Sequence, residues 1–576
     1  MPVLLLHPED DFDGPWKRER WDRVVDLGRA PKSFYDARSR EFGCPVSSIY
    51  DLAIEIGDWQ AWRDLLAAGS GRVVDRMGLD WWHIVSLLLQ PAMQHIRLAL
   101  RLAEEIHGCR TLVASRPSKL AEAVSLPLGI PLRVLQSGIR QRVTNRVTRY
   151  STALANLNLR QLRQVVHDKY DPHYRWRRRF AGAAAASSRP VILLPTAYSN
   201  VTKTALRYAQ LLPEHDFLLV VARESAAVAS LPGNVRAVPL AAFAQSESDR
   251  DELGELERSW MHLESSLRDH PEFSLSAQLG ILREGLRWLR WGICVRDAWN
   301  DVFETQPVAG CLSADDANPY TRIPLLLARR RDIPAVACHH GALDGGMMYK
   351  TPCFSTYLAQ SEMENDYVVR ICGVDPSRIR IGAASSPARN GSLWRADAPW
   401  IVFFSEPYES DLWRADAVYR EVLPRLCAAA RASGKSVVLK VHPFETARHR
   451  RRLVRATLSA SDQQLVAVIE SPLSHEILRN TWCAVTIEST VAFECASVGI
   501  PVLLCGWLRH AYSGYALQYA RFGVGKFLNA PDDLLRIPEV VVEMTTSVDR
   551  SNSSTEVISR DRLAEVLLQP VERSLR

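Results

Sequence analysis

TIESTVAFECASVGIPVLLCG, residues 486–506, is the stretch on which the reading of this chain turns. Ala484–Ile487 supplies an apolar run of strand type. Glu488, Ser489 and Thr490 make a polar turn. Val491–Val498 has helical spacing, Gly499 is a natural helix stop, and Pro501–Cys505 is apolar again. The whole predicts strand, turn, short helix, strand. Hydroxyls and first-turn N–H groups at such a turn suit an anion, because those donors have no partner inside the helix. N-capping of the helix is the ordinary use of the same groups, and the two uses are compatible. Upstream, Val437–Pro443 (VVLKVHP) is a buried-type strand that ends in His442-Pro443. Proline stops the strand and holds the histidine at its tip. Two phosphate-compatible strand tips predict one nucleotide pocket at the carboxyl edge of a parallel sheet.

The same alternation extends in both directions. Trp400–Phe404 is a strand followed by Ser405-Glu406-Pro407 and a helix over Ala415–Ser433. Leu465–Ile469 is a strand, Ser474–Asn480 and Tyr512–Tyr519 are helical, Pro531 to about Glu543 is α/β, and Ser547–Thr555 is a polar segment. On the amino-terminal side, Pro190–Pro195, Phe217–Val221, Val235–Pro239, Val308–Ser313, Pro334–Cys338, Thr356–Ala359 and Arg378–Gly382 read as strands. Helices lie between them, with Asp249–Asn300 largely helical. Strands alternating with helices predict parallel, doubly wound sheets. The expected fold is α/β: two doubly wound Rossmann-like domains facing a cleft, residues 186–395 and 396–576, joined by a linker over 387–399. A helix-rich α/β region over 1–185 precedes them. There Val3–His7, Arg23–Leu27 and Arg110–Ala114 are strand candidates, while Trp59–Ala67 and Trp81–Ile106 are helical. Trp59, Trp62, Trp81 and Trp82 read as packing residues rather than stacking platforms.

Bulk properties bound the function. With 576 residues, 47% hydrophobic and 24% charged, the chain has the composition of a globular protein of about two to three domains. A net charge of +6 is mild for this length and does not argue for nucleic acid. The arginines cluster at Arg175–Arg179, Arg329–Arg331 and His449–Arg452, runs that ordinarily form solvated faces. The segment 169–189 reads as a linker, and the sharper use of its arginines and aromatics is a peripheral contact with anionic lipid. The 11 cysteines include no C-x-x-C pair, which disfavours a zinc ribbon or disulfide scaffold and fits a reducing cytosol. No apolar run approaches the length of a membrane span, and Met1–His7 reads as a first strand rather than a leader. HExxH, Walker and GxGxxG patterns are absent, which disfavours an ordinary NTPase or an NAD enzyme and leaves no metal motif.

Candidate site residues sit at the predicted strand tips. His340, on a Gly-flanked turn, can act as a general base toward an acceptor hydroxyl, or only hydrogen-bond its own loop. His339 is expected to point the other way along an extended backbone. Asp316, beside Asp315, is an alternative base with an N-cap as its common use. Ser405 and Glu406, His442, and Glu488, Ser489 and Thr490 line the nucleotide side. Glu494 can accept from ribose hydroxyls or sit on an exposed helix face.

The runs AVACHHGA (335–342), STYLAQSE (355–362) and RIRIG (378–382) resemble the "HG … S … G" progression of the CDP-glycerol glycerophosphotransferase-like and capsular-polysaccharide transferases. VVLKVHP and TIESTVAFECASVGIPVL resemble the His-Pro and Ser/Thr-rich motifs of the same group, to which bacterial polysialyltransferases and Kdo transferases of capsule assembly are also similar. The resemblance covers roughly residues 190–530. It implies the GT-B fold, a nucleotide-activated donor and no metal in the chemical step. It also implies a base or acceptor-side role for His340, and phosphate contacts for His442, Ser489 and Thr490. Glu488 stands where relatives often have Asp, and Asp315-Asp316 is a candidate for the acidic motif of polysialyltransferases. The "HG" turn continues Ala342-Leu-Asp-Gly-Gly rather than Thr-Pro-Leu-Lys, which favours a sugar donor over CDP-glycerol. The function expected is therefore a glycosyltransferase that moves a sugar from a CMP-, CDP- or UDP-linked donor to a hydroxyl of a bacterial surface glycan or glycolipid. It would need no further cofactor and would work in the cytoplasm, at the inner face of the membrane if the basic linker binds lipid. A sugar-nucleotide epimerase and a non-catalytic nucleotide-sugar- or glycan-binding subunit are the rival readings.

Overall fold

The computed structural model describes residues 2–52, 59–135, 185–244, 249–341, 350–384, 392–409, 412–508, 515–546 and 557–569. The RWRRR run, most of the 169–189 linker, the Ala342-Leu-Asp-Gly-Gly continuation, residues 387–391 and 512–514, and the 547–555 segment lie outside them.

Three all-parallel sheets carry the fold. The first has β1 (Pro2–Leu6), β2 (Arg23–Asp26), β3 (Val46–Ser48), β4 (Thr111–Ala114) and β5 (Leu132–Val134), in the order β3-β2-β1-β4-β5. The second has β6 (Val191–Thr196), β7 (Asp216–Val221), β8 (Val235–Pro239), β9 (Val308–Ser313), β10 (Ala335–Cys338), β11 (Thr356–Ala359) and β12 (Ile379–Ile381), in the order β12-β11-β10-β9-β6-β7-β8. The third has β13 (Trp400–Phe404), β14 (Ser436–Lys440), β15 (Val466–Ile469), β16 (Thr481–Thr486), β17 (Val502–Cys505) and β18 (Lys526–Leu528), in the order β15-β14-β13-β16-β17-β18. In each sheet the winding direction reverses between the first strand and the fourth, which is the doubly wound pattern with its crevice at that reversal. The α/β class and the two expected doubly wound units are thus present. The amino-terminal α/β region is built on a further sheet of the same doubly wound kind.

The central strands β1, β6, β10, β13 and β16 are buried on both faces, as parallel strands under helices must be, while the edge strands β5, β8 and β15 are partly exposed. The first two sheets share one hydrophobic core, filled by the long helices Trp82–Glu105 and Leu282–Thr305. Trp62, Trp81 and Trp82 are buried inside it, in the packing role their positions suggest. Between these helices Arg296 is fully buried. It donates to Asp75 (2.9 Å) and to both oxygens of Glu252 (2.7 and 2.9 Å), so its charge is offset by fixed acids from either side of the junction.

The final helix, Arg560–Leu568, departs from the expected boundaries. Ile558, Leu563 and Leu567 pack in the core of the second sheet, and Ile558 N–H donates to Ala383 C=O (3.1 Å). Close approach is possible because β9 offers Gly310 there: a Cβ at that position would lie 2.2 Å from the Leu567 carbonyl oxygen. Residues 557–569 therefore belong with the second sheet, whereas the sequence places them in a domain spanning 396–576. Of the run His449–Arg452, Arg451 and Arg452 lie on the expected solvated face and Arg450 does not. Arg450 is 1% exposed, turned inward by Glu409 and Glu445.

Candidate functional site

Three switch points compete for a ligand, and their side chains separate them. At the first, the crevice is taken by the chain itself. Arg414, just after the third sheet's opening strand, donates from Nε and Nη2 to the two Asp26 oxygens (2.7 and 2.9 Å). The same guanidinium reaches the carbonyls of Asp10 (2.8 Å) and His7 (3.3 Å). Across the reversal, Arg116 pairs with Glu9 and Asp10, and His7 N–H donates to Ser115 Oγ. The tips of β1, β2 and β4 are thus bonded to one another and to Arg414.

At the second switch point, Thr196 and Thr202 hydrogen-bond to each other (2.6 Å), and Asp315 accepts from Ala317 N–H (2.9 Å) and Asn318 Nδ2 (2.6 Å). Asp316 is buried and paired with Lys350 (2.6 Å), with Arg322 at 3.7 Å. Burial opposes ionisation of Asp316, but Lys350 and Arg322 outweigh it and hold the carboxyl below its usual range. A carboxylate so held is a poor proton acceptor; its place is structural. His339 donates from Nδ1 to Gly341 C=O (2.9 Å), tying the turn to itself, while its own carbonyl accepts from the Gln360 side chain. The rings of His339 and His340 lie 4.6 Å apart at 31°. They stand side by side rather than on opposite faces, because the chain has left the extended strand conformation by Gly341.

One residue here escaped the sequence reading. Glu364 is buried at 2% exposure and accepts from Tyr357 Oη (2.5 Å) and Gln360 N–H (2.9 Å). Burial pushes its carboxyl above the usual range against these two donors. The signal was a capping pattern, Ser361-x-x-Glu364, in which Ser361 Oγ accepts from Glu364 N–H (3.3 Å).

The third switch point joins the tips of β13, β14 and β16. Glu406, buried after β13, accepts at Oε1 from Glu488 N–H (2.8 Å) and Thr486 Oγ1 (3.1 Å). It fixes the 486–490 turn rather than facing outward. Ser405 is likewise engaged, its Oγ 2.7 Å from Tyr419 Oη. Ser489 Oγ accepts from Val491 N–H at 3.4 Å, a weak cap, and Thr490 makes no side-chain cap. On the neighbouring tip, His442 N–H donates to Glu445 Oε2 (2.9 Å), and His442 Nδ1 accepts from Phe444 N–H (3.3 Å). That second bond puts the ring proton on Nε2. Burial, with Lys440 nearby, lowers the imidazole to about 4, so His442 is a neutral Nε2–H donor at physiological pH. Behind it, Arg450 bonds Glu445 and clasps Glu409 (2.7 and 2.8 Å). Burial opposes the Glu409 charge, yet His449 and Arg450 bring its carboxyl down to about 2. The Arg450 guanidinium also lies over Tyr408 and Tyr419, 5.7 and 5.4 Å from the ring centres.

The second and third sheets meet along this edge. Asp366, beyond β11, pairs with Arg521 of the third unit (2.8 Å). Glu494 lies on the short helix after the turn, and desolvation by the protein around it raises its carboxyl above the usual range against the charge of Arg207 in the second unit. Glu494 is itself exposed, so it lies on an open face of that helix, within reach of the Arg207 charge. Among the described residues, no group of His, Cys, Asp and Glu is disposed to hold a metal ion, and no helix is long and apolar enough to cross a membrane.

No family model and no curated protein matches the chain. Solved structures similar to it include a putative UDP-N-acetylglucosamine 2-epimerase from Listeria monocytogenes, at 12% identity, covering 66% of this chain and 94% of that one, with a TM-score of 0.37. The calicheamicin glycosyltransferase CalG4 is similar at 13% identity, 66% and 95% coverage and a TM-score of 0.36. The glycotransferase of kitacinnamycin is similar at 12%, 66% and 100%, and 0.40. Likeness this distant carries no argument about the site, which rests on the geometry above.

Proposed function

We propose that the protein is a nucleotide-sugar-dependent glycosyltransferase of GT-B type, with the donor nucleotide held at the third switch point. The observation that carries this reading is His442: a neutral histidine, its proton assigned to Nε2 by the Phe444 N–H, on a strand tip next to the reversal between β13 and β16. A neutral N–H donor can bond a phosphate oxygen at physiological pH without having to be charged first. Ser489 and Thr490, on the turn that Glu406 fixes, would donate hydroxyls to the same group. Glu488 supplies the backbone N–H that anchors the turn, and Glu494 would accept from ribose hydroxyls. A leaving nucleoside phosphate would be stabilised by these fixed donors in a partly dehydrated crevice, without a metal in the chemical step.

The acceptor, a hydroxyl of a bacterial surface glycan or glycolipid, would enter from the second sheet. His340 would take its proton as attack on the anomeric carbon displaces the nucleotide. Asp316 is too firmly paired with Lys350 to share that role. Thermal-shift and calorimetric titrations with CMP, CDP, UDP and GDP, followed by donor turnover with and without glycan acceptors, test the reading. Binding of one nucleotide, lost in His442→Ala, with sugar transfer lost in His340→Ala, supports it. An isomerised donor in the absence of acceptor would make the protein an epimerase. Tight binding with no turnover would make it a binding subunit.

A further inference from the structure

Phe444 is 69% exposed, an unusual setting for a phenyl ring whose full burial elsewhere stabilises by roughly 1.5–3 kcal/mol. It is not on a slack loop. Residues 442–445 form a turn in which Glu445 N–H donates to His442 C=O (2.9 Å), with Pro443 and Phe444 as the central residues. Pro443 presets the first of these, a position that favours proline. The turn is closed a second time by His442 N–H to Glu445 Oε2 (2.9 Å) and a third time by Phe444 N–H to His442 Nδ1 (3.3 Å). Glu445 is itself buried and held by the buried Arg450. An exposed aromatic ring is therefore presented by a turn anchored to the core. Its centre lies 5.0 Å from that of the His442 imidazole, at 60°.

From this arrangement we infer that Phe444 is the stacking face for the nucleobase of the donor. The inference rests on the reading of His442 as a phosphate ligand. If the phosphate sits at His442 and the reversal, the donor's sugar must lie toward His340 on the second sheet for transfer to occur. The nucleoside end then runs the other way, outward over the tips of β14 and β15, and Phe444 is the aromatic group standing beside His442 there. A planar base stacks on a phenyl face without any hydrogen bond, so this contact contributes affinity for any base, and discrimination among bases falls to other groups.

Ribose 5-phosphate, which keeps the phosphate and ribose but has no base, separates the possibilities. Calorimetry or ligand-observed NMR would compare it with the nucleotide that the wild-type protein binds best among CMP, CDP, UDP and GDP. Phe444→Ala should weaken the nucleotide by about 5- to 100-fold and leave ribose 5-phosphate unchanged, and Phe444→Trp should restore the nucleotide. His442→Ala should weaken both. A Phe444→Ala variant within twofold of wild type for the nucleotide, when His442→Ala is impaired, overturns the inference and leaves the nucleotide site standing. Equal weakening of both ligands by Phe444→Ala overturns it as well, since the ring would then be shaping the phosphate site. Failure of every nucleotide to bind the wild-type protein removes the nucleotide site and the inference with it. Phe444 is exposed, so its replacement leaves the core intact.

Discussion

Replacing Arg414 with Met tests whether the first sheet is a brace for the third. Asp26 is fully buried, and Arg414 is its bidentate partner. Its remaining acceptor capacity is met by Tyr35 Oη (3.0 Å) and Gly28 N–H (3.0 Å), both neutral donors. Removing the guanidinium leaves a buried carboxylate with no cation, a change that costs about 3–5 kcal/mol. Two carbonyls, of His7 and Asp10, lose a donor as well. The loss falls on the seam between the sheets, where Arg29 N–H donates to Leu412 C=O (2.9 Å) and Arg414 N–H to Arg29 C=O (2.8 Å). Hydrogen exchange reads that seam directly and does not require the whole chain to unfold in one step. At about 1.4 kcal/mol per decade, exchange protection in peptides covering 27–30 and 412–416 should fall by about 100- to 4,000-fold. Combining Arg414→Met with Asp26→Leu should recover much of it, because an apolar pair can replace a buried ion pair at little cost. A fall of less than tenfold in the single variant, or no recovery in the double, would refute the brace.

The remaining predictions address the site and the chain's return. The loss of nucleotide affinity in His442→Ala should be the same at pH 8 and pH 6, because His442 stays neutral until about pH 4; a larger loss at pH 6 would show a charged imidazole instead. The raised carboxyl of Glu364 gives a stability contribution present below the ordinary carboxylate pKa and lost as pH rises through its folded value. Glu364→Gln removes that slope, so its melting temperature relative to wild type should climb between pH 4.5 and 8, and a constant difference would count against a buried titrating acid. Gly310→Ala should destabilise by about 1–3 kcal/mol, because its Cβ would collide with the Leu567 carbonyl. Limited proteolysis should then cleave within 557–569 first; unchanged cleavage would mean that the final helix is not seated on β9.

How much of this was legible depended on how local each signal was. The helix over 415–433 was read to its ends, because an apolar stripe and Gly434 in the left-handed conformation mark it within one stretch of chain. The tip of β14 was read for the same reason: five strand residues run into His442-Pro443. Val46–Ser48 and Leu132–Val134 are three-residue strands, too short for a period to show, so the first sheet could not be recognised as doubly wound. Arg450 was misread because charge runs are judged against near neighbours. One of its acids, Glu409, lies 41 residues away on another strand tip. The pairing of Asp316, offered as an alternative base or an N-cap, was hidden for the same reason, since Lys350 approaches it from 34 residues on.

Repetition of one topology three times sharpens what distinguishes a site from a scaffold. Every doubly wound sheet opens a crevice where its winding reverses, so topology alone nominates three positions here. Charge separates them. In the first crevice Arg414 and Arg116 meet Asp26, Glu9 and Asp10, and the polar groups satisfy one another. In the second, Asp315 and Asp316 are answered by Asn318 and Lys350, leaving the paired histidines on the facing turn. In the third, the acids Glu406, Glu445 and Glu409 are directed backward, at the turn and at Arg450, and what they hold forward is a set of donors. Acids that support donors from behind suit an anionic ligand, because they fix the donor geometry without placing negative charge where a phosphate would sit. The arrangement makes Glu445→Ala more informative than it first looks: it should weaken nucleotide binding although Glu445 faces away from the crevice, by releasing the His442 N–H and the turn together.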